Sequence, residues 1–206
     1  MSDIKRGLKA SVLLMLLVAT SSFSVVPIFG AARPKVFVEP KDNIFSTDPA
    51  APNHKAVGAT FSVNISTSGW ETPGLYSYQL KLKYDNTLLG GVKIELPAGH
   101  FLTPTLDPGN VFPVEVKIFQ DLGYASLAVT LMADEPGKTG AGVLGTVTFN
   151  LTKAPPAVGA VKCDLTLADV IFVDPAGNTV DVDLEHGYYE YAAPRPPLPY
   201  LKVEPE

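Results

Sequence analysis

Residues Tyr76 to Leu89 read YSYQLKLKYDNTLL, and this stretch constrains the fold more than any other. Tyr76, Tyr78, Leu80, Leu82 and Tyr84 fall on one side of an extended backbone, with Ser77, Gln79, Lys81, Lys83 and Asp85 on the other. Period-two alternation of apolar and polar residues is the pattern of a half-buried strand whose sheet keeps one face in water. Asp85-Asn86-Thr87 then offers side chains that hydrogen-bond their own backbone and turn the chain, and Leu88-Leu89 returns it to the core. A solvated sheet face beside a chemically quiet turn predicts a binding surface rather than a catalyst.

The same signal recurs along the chain, and no stretch after the first thirty or so residues sustains a helical period. Val36 to Val38 opens the domain, and Thr60 to Ser66 sends Phe61, Val63 and Ile65 inward and Ser62 and Asn64 outward. Val92 to Leu96, Val111 to Phe119 and Tyr124 to Ala133 follow, then Val143 to Thr152 with Val147, Phe149 and Leu151 inward. Asp164 to Val173 and Thr179 to Asp183, with a closing segment through Tyr191, complete the set. Pro97, Gly99, Pro104, Pro108 and Gly109 mark a long loop, Gly137 to Gly142 a turn, and Asp174 to Asn178 a hairpin turn. About nine short strands with such punctuation predict an all-β fold, an antiparallel jelly-roll β-sandwich.

Three segments organise the chain: residues 1–32 as a signal peptide, 33–191 as the sandwich domain and 192–206 as a proline-rich tail. Lys5, Arg6 and Lys9 precede an apolar run from Ser11 to Val26, and Gly30-Ala31-Ala32 provides small residues for cleavage. Two alternatives retain that run, as a tilted membrane anchor or as the helix of a pilin-type subunit, and Lys9 at its start counts against the second. In the tail, Pro194, Pro196, Pro197, Pro199 and Pro205 fix φ and remove backbone donors, so an extended spacer is expected there.

The net charge of −5 and the lack of a basic patch with interleaved aromatics argue against nucleic acid as a partner. Cys163 is the single cysteine, so no internal disulfide supports the domain, and its strand-like neighbours predict a buried thiol. His54, His100 and His186 are far apart, lack metal-ligand spacing and read as loop or surface residues. Asp164, Asp169, Asp174, Asp181, Asp183 and Glu185 cluster late in the chain and read as a solvated face rather than a glycosidase pair. Calcium is an alternative use for such oxygens, but no calcium-loop motif accompanies them. No nucleophile elbow or phosphate-binding glycine loop is present, so the chain reads as a non-enzyme with no catalytic residue, no metal ligand and no required cofactor.

Trp70, the only tryptophan, falls in Ser68 to Gly74, which reads as a loop between strands. It either plugs the end of the sandwich or, exposed, stacks on a sugar ring or anchors a protein partner. Asn64-Ile65-Ser66 and Asn150-Leu151-Thr152 are glycosylation sequons, with both asparagines on the polar side of their strands.

With these strands in order, the sequence resembles a cohesin domain over roughly Val36 to Tyr191. The resemblance lies in the apolar strand ending in Tyr84-Asp85 and followed by Leu88-Leu89. It continues in Leu131 to Glu135, which leads through a glycine-rich turn to Gly142-Val143-Leu144 and the strand Thr146 to Leu151. It implies a jelly-roll sandwich that binds a dockerin module through one sheet face. The contact positions it implies are Ser77, Gln79, Lys81 and Lys83 on the outer side of the strand, with Asp134 beside the turn at Gly137. Ser77 and Gln79 depart from the amide and acid pair typical of dockerin readers, and the chain carries no dockerin calcium loop of its own.

Three functions follow as expectations: a secreted or cell-surface module that docks a dockerin-type protein, a carbohydrate-binding module acting on extracellular polysaccharide, or a structural subunit of a surface layer or filament. The first requires a flat, glycan-free face around Ser77 to Lys83, and the second an exposed aromatic row that includes Trp70. The third requires the N-terminal apolar segment to be retained.

Overall fold

A computed structural model describes residues 32–103, 111–132 and 135–194. The expected signal segment before residue 32, Asp134, and the proline tail beyond Pro194 lie outside the described residues. Among the described residues, eleven strands carry the fold: β1 (Lys35–Glu39), β2 (Asp42–Ser46), β3 (Thr60–Leu75), β4 (Ser77–Lys83), β5 (Leu89–Glu95), β6 (Val111–Phe119), β7 (Tyr124–Leu131), β8 (Lys138–Leu151), β9 (Ala160–Val173), β10 (Asp183–Glu185) and β11 (Gly187–Ala192). A single 3-10 turn, Gln120–Leu122, joins β6 to β7.

Two sheets result, one of five strands in the order β10-β1-β3-β8-β5 and one of six in the order β2-β11-β9-β4-β7-β6. The predicted sandwich is therefore present, with one departure from a purely antiparallel arrangement. β1 pairs parallel with β10, and β2 pairs parallel with β11. The chain changes sheet between β1 and β2 at its start and again between β10 and β11 at its end. Beginning and end thus run side by side through both layers. These two parallel pairings lie at the sheet margins, where short strands reached by long crossovers are accommodated.

The alternation in the sequence accounts for the core. Val36, Val38, Val63, Ile65, Val147 and Phe149 from one sheet meet Tyr78, Leu80, Leu82, Leu127, Leu165 and Tyr189 from the other, all nearly inaccessible to solvent. Phe61 bridges the layers, its ring stacked 5.7 Å from Tyr189 and tilted 5.5 Å from Phe149. Each ring buried in this way contributes about 1.5–3 kcal/mol relative to exposure. The turn after β4 forms as its side chains predict: Oδ1 of Asp85 accepts from the Thr87 amide at 2.8 Å and from the Thr87 hydroxyl at 2.6 Å. These bonds hold the Asp85 carboxyl below its ordinary pKa. Asp174 organises the later turn in the same manner, accepting from the amides of Ala176 and Asn178.

Three expectations need correction. Ser68 to Gly74 is not a loop between strands but part of β3, which runs through Leu75 and pairs with β8 across three register shifts. Gly69 and Gly74, at φ 78° and 87°, supply the left-handed backbone that these irregularities use. Trp70 consequently faces the core at 4% exposure, with Nε1 donating to Oγ1 of Thr67 at 2.6 Å and its ring 5.7 Å from Phe172. Its faces are packed, which removes sugar stacking and partner anchoring and leaves the plug.

His100 is the third correction. It lies in a loop but is fully buried, with Nε2 2.8 Å from the hydroxyl of Tyr78. The apolar wall around Tyr78 and Phe172 holds the ring inside, although the loop sequence suggests exposure.

Candidate functional site

The outer face of β9-β4-β7-β6 is the surface to which the alternating strand points. Cross-strand pairing brings residues from four strands into successive rows. Val173, Ser77, Thr130 and Phe112 form the first row, and Ile171, Gln79, Ala128 and Glu115 the second. Ala168, Lys81, Ser126 and Lys117 form the third, and Thr166, Lys83, Tyr124 and Phe119 the fourth. Six residues of strand separate the first and last rows, roughly 20 Å at the usual rise.

The two ends of this face differ in chemistry. At the first end Phe112 is 54% exposed, Ile171 48% and Val114 61%, although each sits on or beside a face that should be polar. Val114 is the extra residue of a bulge between Pro113 and Glu115, which turns its side chain outward. Ala128 and Ser126 contribute little height and are themselves buried, shaded by the longer residues in the flanking strands. The β7 strip is therefore low, between the longer side chains of β4 and β6.

At the other end stand Lys81, Lys83 and Lys117. Nζ of Lys81 is 3.0 Å from Oδ2 of Asp169 and 4.8 Å from the centroid of Tyr124. Nζ of Lys83 reaches the same carboxylate oxygen at 3.8 Å. Lys117 lies 4.9 Å over Phe119, whose ring stacks on Tyr124 at 4.8 Å. The hydrogen bond from Lys81, followed by the charge of Lys83, lowers the Asp169 pKa, and the same bond raises that of Lys81. Asp169 occupies the bulge of β9, where Asp169 and Val170 together oppose Leu80, and its φ is 50°.

The remaining expected site residues are distributed as follows. Ser77 is half-buried and donates to the carbonyl of Val129 at 3.2 Å, whereas Gln79 is exposed at the centre of the face. Gly137 lies at the rim, against the backbone of Pro73 and Gly74, and its close packing there accounts for a glycine. Asn64 and Asn150 lie on β3 and β8 and point away from the core of the opposite sheet; Oδ1 of Asn64 accepts from Thr146 at 2.8 Å. Glycans at either asparagine would thus leave the lysine-bearing face clear. Burial raises the pKa of the half-buried Cys163 thiol, which makes it a poor nucleophile at neutral pH. Among the described residues, no three His, Cys, Asp or Glu side chains are grouped to hold a metal ion.

Sequence reasoning missed Phe112, Ile171 and Lys117 as members of this face, and, although it placed Asp169 on a solvated face, it missed the pairing of Asp169 with Lys81 and Lys83. Phe112 was detectable as an apolar residue at an outward phase, since Val111 beside it is buried. Ile171 and the pairing of Asp169 were not, because the bulge shifts the phase of β9 by one residue without a glycine or proline to mark it.

No family sequence model matches the chain, and no curated protein matches it in sequence. Solved structures do match it in fold. A cohesin of Clostridium thermocellum, OlpC, in a type I cohesin–dockerin complex, superposes with a TM-score of 0.57 at 18% identity, covering 79% of this chain and 95% of its own. The third cohesin of ScaC from Acetivibrio cellulolyticus, bound to the ScaB dockerin, gives a TM-score of 0.58 at 14% identity, covering 78% and 99%. A non-cellulosomal cohesin from the hyperthermophilic archaeon Archaeoglobus fulgidus gives 0.53 at 18% identity, covering 78% and 92%. The chain therefore folds as a cohesin-type β-sandwich.

Proposed function

We propose that this protein is an exported, non-catalytic binding module that docks a dockerin-type partner through the outer face of β9-β4-β7-β6. The observation that carries the reading is the exposure of Phe112, Val114 and Ile171 on the one sheet face that also presents Gln79, Lys81 and Lys83. Apolar side chains gathered on an otherwise polar face lower the free energy of association when a partner covers them. Two of the fold neighbours, the OlpC and ScaC cohesins, are themselves complexed with dockerins, and the ScaB dockerin has a C-terminal helix. A helix has a diameter of about 10 Å, close to the roughly 10 Å between β4 and β6, so the low β7 strip between them suits one. Ser77, Gln79, Lys81 and Lys83 would then be contact residues, while Gly137 acts through the backbone of the rim.

The carbohydrate-binding alternative loses its principal support with the burial of Trp70. Export rests on the basic start, apolar run and small residues of the N-terminal segment. Glycosylation at Asn64 and Asn150 is compatible with docking, because both lie on the other sheet.

The test is affinity capture from the source organism's secreted and surface fractions, with the parent protein and an Ile171→Asp, Gln79→Ala variant compared and insoluble polysaccharides as parallel bait. A dockerin-bearing protein held by the parent and released by the variant supports the reading. Retention on polysaccharide that the variant leaves unchanged contradicts it.

A further inference from the structure

The lysine end of the face is already occupied by one of the protein's own carboxylates, and that arrangement specifies the partner's chemistry. We propose that Lys81, Lys83 and Lys117 receive carboxylates from an acidic helix of the docking partner, and that Asp169 holds their place in the free protein. The inference rests on the docking reading above.

The three lysines occupy the third and fourth rows, Asp169 projects from the bulge between the second and third, and Glu115 lies one row away on β6. Asp85 and Asp164 follow just beyond the fourth row, at the end of β4 and on β9, neither of them ion-paired to these lysines. Asp169 bonds Lys81 at 3.0 Å but reaches Lys83 only at 3.8 Å, and Lys117 has no ion pair among the described residues. Two of the three ammonium groups therefore keep donors directed to solvent. The stems of Lys81 and Lys117 are held against Tyr124 and Phe119, which removes part of the rotamer freedom that an incoming carboxylate would otherwise have to restrict. The chain as a whole is acidic, so this end stands out locally as a positive site that attracts negative charge.

Asp169 owes its position to the bulge of β9, where a left-handed backbone turns its carboxylate onto the face. Aspartate and asparagine tolerate this conformation better than other side chains. Asp169→Asn consequently preserves the bulge while removing the competing charge. A partner carboxylate that must displace Asp169 binds more weakly than one that meets free lysines, so Asp169 sets a threshold of negative charge and discriminates against neutral helices.

The experiment uses the full chain and two synthetic helical peptides of roughly 14 residues, long enough to span the face. Both carry the same apolar residues at one end; one has glutamates and the other lysines at the opposite end. Fluorescence anisotropy at low salt and at about 0.5 M salt reads the affinities. The acidic peptide is expected to bind at least about fivefold tighter than the basic one at low salt, with the difference lost at high salt. Asp169→Asn should tighten the acidic peptide further, by about threefold, and Lys81→Gln with Lys83→Gln should abolish the preference. Equal binding of both peptides, lost in Ile171→Asp, would overturn this inference and leave the docking face intact. A tighter basic peptide, or no gain from Asp169→Asn, would also overturn it. Failure of both peptides to bind would overturn the inference, and the docking reading would fall with it only if isolated dockerin modules also failed to bind.

Discussion

The hydroxyl of Tyr78 donates its only proton to the carbonyl of Leu144 at 2.6 Å and stands 2.8 Å from Nε2 of His100. His100 must then donate from Nε2 to the tyrosine oxygen, which leaves Nδ1 as a bare acceptor. That atom is buried and has no hydrogen-bond partner among the described residues. A proton there would bring a charge into an apolar interior, and burial pushes the His100 pKa down to about 4. Burial likewise raises the Tyr78 pKa, so both members of the pair stay neutral at physiological pH.

Stability should consequently fall with acidity in a window set by His100. Its folded pKa of about 4 lies below the ordinary 6.5, so the unfolded chain binds the extra proton between these values. The contribution is complete above pH 6.5 and is lost progressively as pH falls toward 4, up to about 3 kcal/mol. Urea unfolding between pH 7 and pH 5 measures the slope. His100→Gln should flatten it in this range, and an unchanged slope would show that other groups control it.

Trp70→Ala should cost about 3–5 kcal/mol, since it empties a filled site beneath Phe172 and removes the partner of Thr67. Trp70→Phe keeps most of the volume but loses the Nε1 hydrogen bond, with an expected loss of about 1–2 kcal/mol. Thermal unfolding distinguishes the two. Neither change should alter partner binding in protein that remains folded, because the indole is internal.

Gly137→Ala should destabilise the rim. A β-carbon at this position would collide with the carbonyl oxygen of Pro73, a backbone atom that cannot move aside cheaply. The opposing Gly74 is equally constrained, with φ at 87° and 2.7 Å between its added β-carbon and the Lys138 carbonyl oxygen. Each substitution should cost about 1–3 kcal/mol in chemical denaturation. A neutral result would mean that the β3–β8 connection relaxes more freely than its packing implies.

The parts of this fold that were legible in the sequence are those where side-chain phase and backbone phase agree. In β4 every second residue from Tyr78 to Leu82 is buried, and the Asp85 turn follows from its own side chains. The illegible parts lie where the backbone slips. The shifts in β3 carry Trp70 through a segment rich in glycine and proline that reads as a loop, and the bulge in β9 places Asp169 on the face without a local mark. The parallel pairings of β1 with β10 and β2 with β11 depend on contacts between the two ends of the chain, which periodicity within a strand does not encode. Lys81 and Lys83 were apparent as a charged row and Phe112 was detectable at its outward phase, whereas Ile171 was not, because the bulge of β9 shifts its phase.

The most direct test of the central claim is a titration of the protein and its Ile171→Asp variant with isolated dockerin modules, read by calorimetry together with unfolding of both proteins. Ile171 is exposed, so the variant should keep its stability within about 0.5 kcal/mol. Docking through the β9-β4-β7-β6 face predicts a dockerin that binds the parent and loses at least about tenfold in affinity for the equally stable variant. Equal affinity for both proteins, or no binding by any dockerin, would contradict the account.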